Sequence, residues 1–476
     1  MTFLAPSFVF AFLPIVITAY ALVPKHLKTY ALIPVGLAFY VFVNIESLFA
    51  LIALPIIVLS VLISVELYKR RRIRLGLKIC RAAFVLSIFA VLALRVAGAV
   101  RVLSGIGVII VLMSAVSICS DLLWGQGRVP DSMWDTLAYL VFFPLLMVGP
   151  FVKYGDFVEK TDKLDFGIEC FTSGAINFVV GFVKCVAISA VLNEAYIDIS
   201  TALKPSPDIF SIIILILIRG LGFFCFISGY SDMAVGISSM LGIRVGSDYG
   251  NIFCNVTPCE FIRNFFSSLL DFCRSYITVP VSLIISGWLG TVIAAVFAAF
   301  LYAVIFPDNA DTVFSLMIPL SVAMVFIVRR TGIKRKKIAL FPRIIGCTMT
   351  FLLAMTVIWY IYIGGPEELQ RLLTTKLAYS SAPGVVAAMR NIKYITIPTA
   401  AGVCVWLTKL LFKRDEAYLD GRQSGIGLLP HKDKAIKLVA KYAISTVLLV
   451  LFAFSVIMLL PQYPYLASTS YFFPFV

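Results

Sequence analysis

The chain has 476 residues, of which 61% are hydrophobic and 14% are charged, with a mean hydropathy of +1.00. Soluble domains average about 45–50% apolar and about 25% charged residues, so this composition excludes an ordinary soluble enzyme. It also excludes disordered, coiled-coil, collagen-like and disulfide-rich secreted proteins, which need polarity, heptads, a glycine period or dense cysteine pairing. The sequence therefore predicts a protein that folds in lipid.

The apolar runs set the expected architecture. The first, near 4–23, has no positive charge before it and no small-residue cleavage site after it, so we expect a retained span rather than a signal peptide. Further runs lie near 29–44, 46–67, 82–100, 102–123, 137–152, 171–194, 209–243, 281–306, 313–328, 341–363, 396–412 and 440–460. At about 20 residues per span, they predict a single all-α polytopic membrane domain over 1–476, with about eleven to thirteen transmembrane or re-entrant helices.

The net charge of +15 is concentrated in blocks beside these apolar runs, at 69–74, 329–337, 413–414 and 432–441. Loops next to membrane spans collect Lys and Arg on the cytoplasmic side, and such clusters attract anionic lipid headgroups. The charge therefore indicates topology and membrane lipids as partners, and no nucleic acid. Placing the blocks in the cytoplasm puts both the N- and the C-terminus outside.

Residues 140–157 read LVFFPLLMVGPFVKYGDF and contain two prolines, Pro144 and Pro150. Both cannot lie in one unbroken helix, because each removes a backbone donor and crowds the preceding turn. One interpretation is a broken helix that lines a cavity at membrane depth, where irregular backbone is tolerated. The other is a kinked span that ends at the interface, with Lys153 and Asp156 solvated.

Residues 219–242 place polar groups inside an apolar run. Glycines at 222, 229, 236 and 242 recur near two-turn spacing, which predicts a smooth helix face for close approach of another backbone. Ser228, Tyr230 and Asp232 add hydroxyls and a carboxylate, and ionisable groups in such runs usually face a cavity or a partner. The alternative is a structural cluster of hydrogen bonds between helices.

Three phrases in this order resemble the membrane-bound O-acyltransferase family, in its bacterial branch of alginate O-acetyltransferases and D-alanyl transferases. They are the phrase at 140–157, SGYSDMAVGISSMLGIR at 228–244, and the stretch from Thr257 to Pro280. Several ordered phrases together are more specific than one short motif. The resemblance covers about 105–330, so it implies N-terminal helices over 1–104, a core resembling the family over 105–330, and C-terminal helices over 331–476.

The resemblance implies a ring of helices around a central tunnel, in which a histidine takes the proton of the acceptor hydroxyl. Here the family's histidine positions read Phe266 and, in an ungapped register, approximately Phe306. Asp308 is a substitute candidate for the base, so the catalytic residue stays unknown. His26 and His431 lie beside lysines in expected cytoplasmic turns and match no family motif. The residues expected to shape the tunnel are Pro144, Pro150, Ser228, Tyr230, Asp232, Glu260, Arg263 and Arg274.

The expected function is transfer of an acetyl-type acyl group to a hydroxyl of an exported polysaccharide or cell-wall polymer. The donor would be acetyl-CoA or a carrier thioester, with no bound cofactor or metal expected. Partners would be the polymer and other acylation-complex proteins at the bacterial inner membrane. The alternative is a catalytically inactive relative that binds lipid, acyl carrier or an envelope-assembly partner, because phenylalanine removes proton transfer. A transporter built on Arg219 and Asp232 is a third hypothesis, and the absence of a repeated half argues against it.

Overall fold

Helices make up every regular element of the computed structural model in the part of the chain that it describes. That part is 3–43, 48–69, 108–124, 130, 132–146, 151–162, 164, 166–203, 209–246, 249, 260–261, 264, 267–278, 292, 347–353, 355–356, 394–403, 405, 446–447 and 449–457. The helices are α1 (Leu13–Leu22), α2 (Lys28–Val43), α3 (Leu48–Lys69), α4 (Val108–Trp124), α5 (Met133–Leu140), α6 (Tyr154–Asp162), α7 (Ile168–Val183), α8 (Val191–Leu203), α9 (Ile209–Met240) and α10 (Ser267–Cys273). The π-helical segments are Phe8–Phe12, Lys184–Ala190 and Arg274–Thr278, and the 3-10 turns are Lys25–Leu27 and Phe143–Leu145.

Three helical stretches among the described residues are long and apolar enough to cross a membrane: Lys25–Val43, Ile168–Ala202 and Phe210–Met240. Large apolar side chains on these stretches, such as Ile168 and Phe210, are exposed in the isolated chain. Lipid is the solvent that such surfaces need. The expected all-α polytopic membrane fold is therefore confirmed.

The chain divides into two compact units. Unit 1 comprises Met1–Asp165, Leu241–Arg371 and Phe473–Val476, and unit 2 comprises Phe166–Met240 and Leu372–Phe472. The single membrane domain over 1–476, with divisions near 104 and 330, stays a prediction.

Aromatic rings join the N-terminal helices of unit 1 to the turn that contains Pro144. The Phe39 ring lies 5.8 Å from that of Phe8 and 5.3 Å from that of Phe143, centroid to centroid. One turn earlier on α2, Gly36 touches the backbone at Val141, where an added Cβ would lie 1.9 Å from the carbonyl oxygen. A side chain at position 36 would therefore separate α2 from this turn.

The helix break expected near the two prolines is confirmed. Ser132 caps the start of α5 by accepting a hydrogen bond from the Trp134 backbone N–H at 3.1 Å. The helix ends at Leu140, and a separate 3-10 turn begins at Phe143, with Pro144 near its start, as the missing N–H of proline favours. Helix α6 begins only at Tyr154.

Unit 2 contains a hairpin of two long helices. Helix α7, the π-helical segment and α8 run on from Ile168 to Leu203, and α9 returns over 32 residues. At 1.5 Å per residue α9 is about 48 Å long, which exceeds the roughly 30 Å of bilayer hydrocarbon. The hairpin is therefore long enough to span the membrane while tilted or extending beyond it.

The smooth glycine face predicted on α9 is confirmed at two positions. An added Cβ on Gly229 would lie 2.7 Å from the Gly181 carbonyl oxygen, and one on Gly236 would lie 2.6 Å from that of Gly174. Glycine thus faces glycine twice, seven residues apart on both helices. Gly242 has another role, since its φ of 84° ends α9 in the left-handed region that favours glycine.

Candidate functional site

A polar cluster in unit 1, which we call the carboxylate–phenol cluster, consists of Ser117, Asp121, Lys153, Ser275 and Tyr276. The Tyr276 hydroxyl lies 3.2 and 3.4 Å from the two carboxylate oxygens of Asp121. It also lies 2.8 Å from the Ser117 hydroxyl. Ser117 and Asp121 are four residues apart on α4, so they project from the same face of that helix.

The proton positions in this cluster follow from the number of donors. A phenol carries a single proton, and Tyr276 donates it to the Asp121 carboxylate, which has none to offer when ionised. The Ser117 hydroxyl must then be the donor to the Tyr276 oxygen. Burial raises the pKa of Tyr276, so the phenol keeps its proton at neutral pH. The hydrogen bonds therefore run from Ser117 through Tyr276 to Asp121.

Two of the three phrases behind the family resemblance meet at this cluster. The Lys153 ammonium donates to the Ser275 hydroxyl at 2.8 Å and lies 5.8 Å from the centre of the Tyr276 ring. The Phe151 backbone N–H donates to the Ser268 hydroxyl, also at 2.8 Å. These bonds connect the segment before α6 to α10 and to the π-helical segment after it. Single-turn π segments occur frequently at functional sites.

A second hydrogen bond orients the same segment from α5. The Tyr139 hydroxyl donates to the Val152 carbonyl oxygen at 2.8 Å, and both residues are buried. The Tyr139 ring lies 5.4 Å from that of Tyr154 at an interplanar angle of 83°. Lys153 is therefore held between the buried Tyr139–Val152 hydrogen bond and the cluster, and is not simply solvated. Asp156 is exposed, as the second interpretation expected.

An ion pair lies buried between α9 and the π-helical segment of unit 2. Lys184 donates to the Asp232 carboxylate, and their side chains are only 9% and 10% exposed. The Lys184 ammonium also lies 3.4 Å from the Ser228 hydroxyl. Asp232 was expected to face a cavity or a partner, and its partner is Lys184. Buried charges persist only when they are paired in this way.

The structure brings two of the expected tunnel residues together, Ser228 and Asp232, beside Lys184. Tyr230 is buried, with its ring 4.8 Å from that of Phe226. Glu260 is half-buried, and Arg274 is exposed on the π-helical segment after α10. Pro150, Arg263, Phe266, Phe306, Asp308 and His431 lie outside the described residues. Their expected roles stay predictions.

Two further polar positions can be placed. Arg219 is buried in unit 2, where it donates to the Asn193 side-chain oxygen at 2.8 Å and lies 4.9 Å from the Tyr196 ring centre. His26 is exposed in the 3-10 turn between α1 and α2. That position suits the expected solvated turn. Within the described ranges no three His, Cys, Asp or Glu side chains gather as metal ligands do.

Sequence reasoning missed the roles of Lys184 and Asp121. The signal for Lys184 was a single lysine inside the apolar run at 171–194. Asp121 ends another apolar run, where an acidic residue is ordinarily solvated. Its partner Tyr276 is 155 residues away, so no local pattern indicates the pair.

Comparison with known proteins finds no matching family model. It finds curated relatives named probable alginate O-acetylase AlgI, each aligned over 179 residues, or 38% of this chain. Identity is 27% to the Pseudomonas aeruginosa protein, 27% to that of Pseudomonas putida and 26% to that of Azotobacter vinelandii. The aligned part covers 34% of the first and 36% of the other two, so the chain matches about a third of each relative.

Proposed function

Because the chain is related to the membrane-bound O-acyltransferase family, we propose that it is a membrane-embedded O-acyltransferase. It would transfer an acetyl-type acyl group from acetyl-CoA or a carrier thioester to a hydroxyl of an exported polysaccharide or cell-wall polymer. The observation that carries the proposal is the 179-residue similarity to proteins named as alginate O-acetylases.

The geometry of unit 1 supports this proposal. Lys153 lies in one phrase of the resemblance, and Ser275 lies in another, more than a hundred residues later. Their hydrogen bond joins segments that have no sequence proximity, which is how a catalytic site is assembled from separate helices. The polar groups gathered there include a carboxylate, a phenol and an ammonium. Such groups can orient a hydroxyl and polarise a carbonyl.

The cellular setting of the proposal is the bacterial inner membrane. The basic blocks at 329–337 and 413–441 would face the cytoplasm, which places the C-terminus outside and gives a thioester access from the cytoplasmic side. Membrane lipids, an envelope polymer and other acylation-complex proteins would be the partners. Alkaline phosphatase fused to the C-terminus should be active in cells. Activity of a cytoplasmic reporter at that position would refute the orientation.

Acyl transfer in reconstituted vesicles tests the proposal. Purified protein in liposomes is supplied with radiolabelled acetyl-CoA, or with acetylated acyl carrier, and with alginate or a fractionated cell-wall polymer. We expect hydroxylamine-labile label on the polymer, in proportion to the protein added. Protein-free liposomes and the exposed-surface variant His26→Gln are the controls. Absence of ester with every donor and acceptor would overturn the proposal.

The same vesicles distinguish the inactive alternative. Phe266 and approximately Phe306 occupy the family's histidine positions, and a benzene ring accepts no proton. Saturable retention of acyl carrier without any transfer would assign the chain as a binding scaffold. Measured transfer would instead require another proton acceptor, for which Asp308 was the sequence candidate.

A further inference from the structure

Acyl transfer from a thioester to a hydroxyl needs a group that accepts the hydroxyl proton. Histidine is the usual choice because it titrates near neutral pH. Of the two histidines in the chain, His26 is exposed in the 3-10 turn between α1 and α2, and His431 lies in the basic block at 413–441. The acceptor has therefore to be sought among other side chains.

Asp121 has the hydrogen-bond arrangement of a proton acceptor. An ionised carboxylate offers about four lone-pair directions, and the Tyr276 proton is shared between its two oxygens at 3.2 and 3.4 Å. Within the described ranges no other donor bonds to Asp121, so it retains lone pairs for a substrate hydroxyl. The side chain is half-buried, which leaves it reachable.

The neighbours of Asp121 fix its orientation. Tyr276 donates to Asp121, and the Tyr276 oxygen in turn accepts from Ser117, which is fully buried. The charged and titratable groups that face it from the packed elements are Tyr139, Lys153, Asp156 and Tyr276.

Resting on the proposed function, we propose that the Asp121 carboxylate is the proton acceptor of the acyl transfer, with Tyr276 and Ser117 as positioning residues. The acceptor oxygen bonds to the thioester carbonyl carbon while its proton passes to Asp121. The carbon–sulfur bond then breaks, and the thiolate leaves with the electron pair. Asp121 returns the proton to the thiolate, so a hydroxyl and a thioester become an ester and a thiol.

Kinetics of four purified variants in the vesicle assay test this proposal. Asp121→Asn keeps an acceptor oxygen for the Tyr276 hydroxyl but takes no proton, so we expect kcat to fall about 100-fold or more, the scale of general-base catalysis. Asp121→Glu should recover part of the rate. Tyr276→Phe should move the acidic limb of the pH–rate profile to higher pH, because a carboxylate that loses a donor binds its proton more readily. Asp271→Asn, which alters an exposed carboxylate on α10, is the matched control and should act as wild type.

The outcomes separate the two proposals. If the wild type is active and the rate of Asp121→Asn is within threefold of it, the role of Asp121 is overturned and the proposed acyltransferase function stands. An inactive wild type would overturn both. If size-exclusion chromatography shows that Asp121→Asn is poorly folded, the pH–rate profile of Tyr276→Phe is the deciding test. An acidic limb that does not shift would overturn the proposal.

Discussion

Removing one charge of the buried pair in unit 2 should destabilise the protein more than removing both. Asp232→Leu leaves the Lys184 ammonium between two helices at about a tenth of its free exposure. Breaking a buried ion pair from one side costs about 3–5 kcal/mol, because the remaining charge loses its opposite charge in a site that water hardly reaches. The exposures of 9% and 10% leave little solvent to screen that charge, so we expect the full range.

The double variant supplies the discriminating comparison. Lys184→Met with Asp232→Leu removes both charges and keeps apolar volume, so we expect it to cost less than Asp232→Leu alone. Replacement of a buried pair by packed apolar residues is often neutral or stabilising. The two single changes, Asp232→Leu and Lys184→Met, should therefore be non-additive by at least about 2 kcal/mol, as is expected of residues in direct contact.

Unfolding in mixed micelles of increasing dodecyl sulfate content measures these free energies. A thiol-reactive dye can follow the transition, because Cys170, Cys185 and Cys225 are buried thiols of unit 2 that form no disulfide. Lys160→Met, on α6 of unit 1, controls for the loss of a lysine in general. The reasoning is refuted if Asp232→Leu unfolds within about 0.5 kcal/mol of wild type, or if the single effects simply add.

Three smaller changes test the packing. Gly236→Ala should cost about 1–3 kcal/mol in the same unfolding assay, since its Cβ would lie 2.6 Å from a carbonyl oxygen, whereas Gly155→Ala meets nothing within 4 Å and should cost nothing; equal effects would contradict the glycine contact. Tyr139→Phe should cost about 1–3 kcal/mol by leaving the buried Val152 carbonyl unpaired, and an unchanged midpoint would contradict that bond. Ser132→Ala should cost about 1 kcal/mol and Ser132→Asp much less, and equal losses in both would exclude capping.

The hairpin shows how far a sequence pattern reaches. The glycine spacing on α9 predicted a face for close approach, and Gly229 and Gly236 confirm it. The same pattern could not identify the facing helix. Gly174 and Gly181 also lie seven residues apart, but two matching spacings indicate contact only once the hairpin register pairs them.

The carboxylate–phenol cluster could not be predicted from the sequence. The phrases at 140–157 and 257–280 carry the family resemblance, but their order along the chain says nothing about how far apart they lie in the fold. Lys153 bonds to Ser275 and Tyr276 bonds to Asp121, and in both pairs the partners are more than a hundred residues apart in the sequence. Arg274 directly precedes Ser275 of the cluster, but it is exposed, because successive residues of a helix point in different directions.

Asp121 and Asp232 differ in their hydrogen-bond partners, and those partners decide which of the two carboxylates can accept a proton. If Asp232 took a proton, the buried Lys184 ammonium would lose its opposite charge, at a cost of about 3–5 kcal/mol. Since about 1.4 kcal/mol corresponds to tenfold in rate, that cost would slow the step by roughly 100-fold or more. Asp121 accepts from the neutral Tyr276 hydroxyl and is half-buried, so its protonation takes no ion-pair partner away from a buried cation. The pair in unit 2 is thus suited to holding helices together, and the carboxylate in unit 1 is suited to chemistry.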